Sequence, residues 1–460
     1  MIKRTLQQVE EMCLGIGLED LFYDIVVQGI SIDSRTIAAG SLYVPIVRVK
    51  NGHDYVKEAI RKGAVASLWQ NDQPNPPHDF PLIFVDDCVI ALQHLASSYR
   101  KQLSIKVIAI TGSNGKTTTK DMVSSIVETS YKVHKTKGNL NSQIGLPLTL
   151  LEIKENSEVV VLELGMSERG QIERLSRIAA PDIAVITMIG LSHLSSLGSR
   201  EEIAAAKLEI VIGLQSNGVL ILNGDEPLLK NGLDEMSLSK SIRIIRIGEN
   251  NETNDYYASV IQQETENTSF LVNTFMESCM IPILGKHNVL NALASIAVGE
   301  TLCVPTNRIR MGLAQLKMTG MRMEKVESKA GFTMINDAWN ASPVSMKAAI
   351  GAFEELKGYS RKFLILGDML ELGECEKQFH REIGEGIDPN KVDYVFTIGK
   401  IAQEIAIEAT KKFKDADRVK AFQHKKEAIS EIRALIRPQD VLLVKGSRGM
   451  QLEEIVWELT

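Results

Sequence analysis

Apolar residues along the chain fall into two alternating kinds of run. Short unbroken stretches at 107–110, 159–164, 183–189 and 219–223 are what parallel strands buried on both faces require. Between them the apolar positions recur three or four apart, as at Met122, Val123, Ile126 and Val127, which predicts helices laid on the sheet. The same alternation starts earlier, with strands at 26–32, 41–46 and 82–85, a helix over 55–62 stopped by Gly63, and a helix over 87–99 that runs into a polar link at 100–104. Residues 256–283 break the rhythm with short alternating segments, which predict an antiparallel excursion. A helix over 288–299 follows, and Ile309, Leu313 and Leu316 mark another. From 319 onward, strands at 333–336, 362–366, 394–398, 418–421 and 441–444 alternate with helical stretches, the pattern of a doubly wound unit. The expected fold is α/β in three domains. These are a small α/β unit over 1–103, a central P-loop-type unit with a mostly parallel sheet over 104–318, and a Rossmann-like unit over 319–460.

Composition adds mainly exclusions. The 460 residues are 44% hydrophobic and 24% charged, ordinary for a globular chain of several domains. The net charge of −6 is spread out and leaves no basic stripe, so nucleic acid is not an expected partner. The cysteines Cys13, Cys88, Cys279, Cys303 and Cys375 show no metal-ligand spacing and read as reduced thiols of a cytoplasmic protein. MIKRTLQQVEEM has no apolar h-region, and no run is long enough for a bilayer, so neither a signal peptide nor membrane insertion is expected.

Chemistry concentrates where the strand at 107–110 meets Gly112, Ser113, Asn114, Gly115, Lys116, Thr117 and Thr118. A buried strand, a glycine loop and a helix N-terminus in that order cradle phosphate. Backbone N–H groups converge, Lys116 reaches the terminal phosphates, and Thr117 offers a hydroxyl to Mg²⁺. The loop departs from G-x-x-x-x-G-K-[ST] in having Ile110 at the first glycine position. Glu163 closes another buried strand on the same sheet edge, where a magnesium ion needs oxygen ligands. His193 follows the next strand and is open to either a ligating or a structural role. Lys207 stands on the apolar face of a helix expected over 203–212, with Ile203, Ile210 and Val211 at i, i+4, i+7 and i+8 spacing. A lysine there must be paired, chemically altered, or snorkelling from the edge of the stripe. Further polar clusters lie at Ser34 and Arg35, at Asn139 and Asn141, at Asn288 and Asn291, at Arg322, Asp337 and Asn340, and at Lys445, Ser447 and Arg448. Each alone reads equally as a binding group or as a cap or turn.

Taken in order, TGSNGKTTT, GNLN with IGLP, LELGM, GLSH, AKLEI, LNGDEP, GKHNVLNALA, INDAWNASPVSM, LGDMLELG and KGSRGM resemble the motif series of the Mur ligases. These are the ATP-dependent amide-forming enzymes of peptidoglycan precursor synthesis. INDAWNASPVSM, LGDMLELG and GNLN look most like the member that joins D-alanyl-D-alanine to UDP-N-acetylmuramoyl-tripeptide. The resemblance implies that Lys116 and the loop hold ATP, and that Thr117, Glu163, His193 and Lys207 serve two Mg²⁺ ions, Lys207 as a carbamate. It implies Lys116, Lys207 and His193 as the catalytic set. Asn288, Arg322 and Asp337 would contact nucleotide, and Asn340, Lys445, Ser447 and Arg448 the incoming amine component. Ser34 and Arg35 would bind UDP on the first domain, while Asn139 and Asn141 would hold substrate. The implied protein is a cytoplasmic monomer. Trp339 stands where tyrosine is usual, Met188 where asparagine is common, and Ser142 where a second asparagine often follows Asn141. Residues 47–50 are shorter than the family form. Other readings are a sibling ligase adding another amino acid, a folate polyglutamylating relative, or a nucleotide-gated binding protein.

Overall fold

The structure, a computed structural model, describes residues 1–249, 252–264 and 267–460. Its described strands form three principal sheets and a small antiparallel pair, an α/β fold in three successive units. The first sheet runs Ile30–Ser31, Leu42–Tyr43, Ala66–Gln70, Leu82–Val85, all parallel. The central sheet runs Cys279–Ile281, Thr268–Val272, Tyr256–Gln263, Arg243–Gly248, Val219–Asn223, Ile183–Ile186, Lys106–Thr111, Val159–Glu163, Val133–Lys135. It is parallel from Tyr256–Gln263 onward, and the excursion at one edge is antiparallel as expected. The third sheet runs Glu324–Glu327, Thr333–Asp337, Val441–Lys445, Lys362–Gly367, Tyr394–Ile398, Val419–Phe422, with only its first pair antiparallel.

Strand period divides the central core into two layers. Val107 and Ala109 pack on one face of the sheet, Ile108 and Ile110 on the other, all with no exposed surface. The layer containing Val107 is continuous with the core of the first unit, from Ile2 and Leu6 through Tyr99 to Leu233. The third unit has its own pair of layers, on either side of its sheet. Among the described residues, no helix is long and apolar enough to cross a membrane.

Several sequence expectations are corrected. The run 26–32 is two strands, because Gly29 at φ +98° turns the chain between Val26–Gln28, paired with Lys3–Thr5, and Ile30–Ser31 in the first sheet. The link at 100–104 is helical as far as Gln102, and Arg100 donates to the carbonyls of Ala179 and Ala180 that end the helix Gln171–Ala179. The helix bearing Lys207 spans Arg200–Leu208 and then tightens into a 3-10 turn, Glu209–Gly213. Lys3–Thr5, Ala66–Gln70, Arg243–Gly248 and Glu324–Glu327 are strands that hydrophobic patterning did not reveal.

Candidate active site

The strand Lys106–Thr111 sits between Ile183–Ile186 and Val159–Glu163, so the carboxyl ends of three buried strands share one edge. The chain leaves the first through Gly112, whose φ of +145° and close neighbour allow no side chain: a Cβ would lie 2.0 Å from Thr187 Oγ1. Gly115, at φ +82°, opens the helix Lys116–Val127, and a Cβ there would lie 2.5 Å from Asn291 Oδ1. Ile110 needs no glycine because it is still inside the strand, paired with Glu163. Lys116 Nζ donates to the carbonyls of Gly112 (2.7 Å) and Ser113 (3.4 Å). Burial pulls its pKa below the usual lysine range, against the opposing pull of Glu163. Ser113 Oγ is buried without a hydrogen-bond partner.

Glu163, 2% exposed, accepts from Thr117 Oγ1 and Asn141 Nδ2, each at 2.8 Å. His193, at φ +64°, places Nδ1 2.8 Å from Glu371 Oε2 of the third unit. Burial lowers its pKa more than that carboxylate raises it. Lys207 is 1% exposed, and among the described residues no hydrogen bond or ion pair holds its amine. Burial first, and then Lys116, push its pKa well below the lysine range, with Glu209 and Glu163 opposing. Among the described residues no three His, Cys, Asp or Glu side chains gather as a metal cluster. The oxygen donors present are the Glu163 carboxylate and the Thr117 hydroxyl, hydrogen-bonded at the mouth of a phosphate loop. Together with the His193 imidazole, which lines the same cavity, they fit a hard divalent cation that keeps most of its ligands from phosphate and water.

The third unit faces this edge. Asp337 ends its strand, pairs with Lys445 Nζ at 2.6 Å and accepts from the Met323 N–H at 3.1 Å. Lys445 also donates to the Asn340 carbonyl. The guanidinium carbons of Arg322 and Arg448 lie 5.6 and 4.9 Å from the Trp339 ring centre, so both cations lie against one indole. Among the described residues Arg322 Nε is buried without a hydrogen-bond partner, and burial lowers the side chain's pKa. Asn114 meets Ser342, the N-cap of helix Pro343–Glu354, at 3.1 Å. Asn288 donates to the Leu284 carbonyl and accepts from Asn291.

One cavity of about 610 Å³ joins these groups. Ser113, Asn114, Gly115, Lys116, Thr117 and Thr118 line it, with Asn139, Asn141, Glu163, His193 and Asn288 from the central unit. Arg322, Asp337, Asn340, Lys445 and Arg448 line it from the third. Gly112 and Lys207 lie outside the lining, and Lys207 is buried. Ser447 does not line the cavity: its hydroxyl accepts from the Leu370 N–H (2.9 Å) and donates to the Ala341 carbonyl, so it knits two loops. Ser34 and Arg35 are also elsewhere, Ser34 bonded to Glu58 and Arg35 forked onto Asp33 with its side chain 79% exposed. Sequence reasoning missed Arg48, Gln143, Gln171, His287 and Ser345, all of which line the cavity. His287 lay inside the GKHN run and Ser345 inside INDAWNASPVSM, whereas Arg48 lay in the 47–50 stretch, noted only as shorter than the family form.

A phosphate loop and a Rossmann-like unit lining one cavity make an arrangement suited to a nucleotide-dependent enzyme. Residues 110–299 match the family model described as Mur ligase middle domain, and residues 321–448 the one described as Mur ligase, glutamate ligase domain. The chain belongs to the Mur ligase family, as its motif series implied. Over all of its length and 99% of the relative's, it is 47% identical to a Bacillus subtilis (strain 168) protein named UDP-N-acetylmuramoyl-tripeptide–D-alanyl-D-alanine ligase. The fold overlies a crystal structure of MurF from Acinetobacter baumannii with a TM-score of 0.89 at 29% identity, covering 100% of this chain and 99% of that one. MurF ligase from Thermotoga maritima, solved in complex with ADP, gives a TM-score of 0.81 at 28% identity, covering 94% and 97%.

Proposed function

We propose that this chain uses ATP to join D-alanyl-D-alanine to UDP-N-acetylmuramoyl-tripeptide, giving the pentapeptide precursor of peptidoglycan. The observation that carries the reading is the single cavity in which the phosphate loop, the Thr117–Glu163 pair and two arginines of the third unit meet. A carboxylate does not acylate an amine, because oxide is not a leaving group. The tripeptide carboxylate therefore attacks the γ-phosphorus, ADP departs, and an acyl phosphate results. The dipeptide amine then attacks the acyl carbon, loses its proton, and the tetrahedral intermediate expels phosphate. Lys116 and Arg322 stabilise charge on the transferring phosphoryl group, and the buried setting strengthens both. Closure of the units around the acyl phosphate excludes the water that would hydrolyse it.

Thr117, Glu163 and His193 would hold magnesium, which when bound neutralises phosphate charge. Lys207 supports a carbamate reading: its amine is buried, unpaired among the described residues and biased toward the neutral form that adds CO₂, which forms an N–C bond with loss of a proton. Asn288 and Asp337 would face the nucleotide, Asn139 and Asn141 the tripeptide, and Asn340 and Arg448 the dipeptide. Ser34 and Arg35 would contact UDP from the first unit. The chain would act as a monomer in the cytoplasm, where its five cysteines, none in metal-ligand spacing, read as reduced thiols. The test is mass spectrometry of products from ATP, D-alanyl-D-alanine and each UDP-tripeptide. The expected product is heavier than the tripeptide by one dehydrated dipeptide, with one phosphate released per bond. Phosphate release without the new amide would overturn the reading.

A further inference from the structure

The LGDMLELG run, residues 366–373, fits the family without acquiring a role, and its glutamate lies against the proposed metal ligand of another unit. His193 Nδ1 is 2.8 Å from Glu371 Oε2. A carboxylate oxygen accepts, so this contact places a ring proton on Nδ1 and leaves Nε2 as the nitrogen turned to other partners. Both residues hold the left-handed backbone, each at φ +64°, which is uncommon and locally costly for residues other than glycine. The contact is doubled by the Ser195 N–H, which donates to the Glu371 carbonyl at 3.3 Å. Gly373, at φ +66°, continues the approach, since a Cβ there would lie 3.6 Å from Ser195. The Glu371 side chain is 63% exposed, and an ion pair so exposed contributes little to stability. Stability therefore does not account for two strained residues meeting across units.

We propose that Glu371 is a positioning residue, which fixes His193 as the Nδ1–H tautomer and so reserves Nε2 for the metal. The proposal rests on the reading of His193 as a magnesium ligand. Carboxylates that accept from the second ring nitrogen commonly orient metal-binding histidines and raise their basicity. Here the carboxylate comes from a different unit than the histidine. The nitrogen is therefore set only when the third unit is docked on the central one, and metal affinity becomes tied to domain position.

The test uses the full chain labelled with ¹⁵N-histidine, with His193 assigned by its loss in His193→Ala. NMR of the ring nitrogens should show the Nδ1–H form in the unsubstituted protein and in Glu371→Gln, whose amide oxygen still accepts. In Glu371→Ala the signal should move toward Nε2–H. Mn²⁺ binding with a non-hydrolysable ATP analogue, read from the EPR signal of free Mn²⁺, should weaken about 10-fold or more in Glu371→Ala and less than about twofold in Glu371→Gln. An unchanged tautomer or an unchanged Mn²⁺ constant in Glu371→Ala overturns the proposal. Unchanged Mn²⁺ binding in His193→Ala as well would remove His193 from the metal set and end the proposal, while leaving the phosphate-loop reading at Thr117 and Glu163 standing.

Discussion

Lys207 shows how far a single residue can be read. Its spacing from Ile203 announced an inward side chain, and both residues are buried, because one helical turn fixes which face they share. The tightening after Leu208 was not legible, yet Ile210 and Val211 are buried all the same. Burial depresses the amine's pKa, so between its folded value and the ordinary 10.5 the unfolded chain binds more protons. Stability should therefore rise with pH across that window, and the lysine costs most at its acid end. At fixed dissolved CO₂, ¹³C NMR should show a carbamate signal that grows with pH and is missing in Lys207→Ala. That variant should fold, lose at least about 100-fold in turnover, and regain part of it with acetate or formate, which place an anion in the vacated space. Full turnover without added acid would take the carbamate out of the reaction. Ser447 and Arg48 mark the limit of such reading. Whether a loop side chain lines the cavity or bonds a neighbouring loop depends on tertiary contacts that no local pattern encodes.

At the scale of elements, the helix Lys116–Val127 does more than present the phosphate loop. Lys120 and Asp121, with side chains 2% and 3% exposed, form a 3.1 Å pair. Asp121 Oδ2 accepts from the Thr319 N–H at 2.8 Å, and Lys120 Nζ reaches Thr319 Oγ1 at 3.4 Å. The helix after the phosphate loop thus grips the segment leading into the third unit. Asp121→Ala leaves a buried ammonium without its carboxylate and should cost about 3 kcal/mol or more in urea unfolding. A loss below about 1 kcal/mol would show the pair to be solvated. Elements with unbroken apolar runs were legible because burial on both faces leaves no other composition. Glu324–Glu327 was not: it is an edge strand, EKVE, alternating exposed charge with half-buried positions. The split at Gly29 was missed because two strands of different sheets share one apolar run.

For the whole molecule, the three-unit α/β plan was readable from strand–helix alternation, but the arrangement that makes the cavity was not. The passage between the second and third units is conformationally loaded, with Met321 at φ +61° and Met323 at φ +50° on either side of Arg322. Small-angle scattering should register a smaller radius when an ATP analogue and UDP-tripeptide are both added, as the third unit settles against Asn114 and His193. An unchanged radius at saturating ligand would count against closure about 318–323.

The apolar layer shared by the first and central units bears on how the chain comes off the ribosome. The strand Lys3–Thr5 and the helix Leu6–Cys13 bury their apolar side chains in a layer completed only by residues as late as Leu233, and the Ile2 N–H bonds to the Leu151 carbonyl. At roughly 5–20 residues per second, emergence of that stretch takes on the order of ten seconds or more. Over that interval the earliest segment stays exposed, a natural client for a nascent-chain holdase, whereas the third unit, whose two layers draw almost wholly on its own residues, completes itself last and largely unaided.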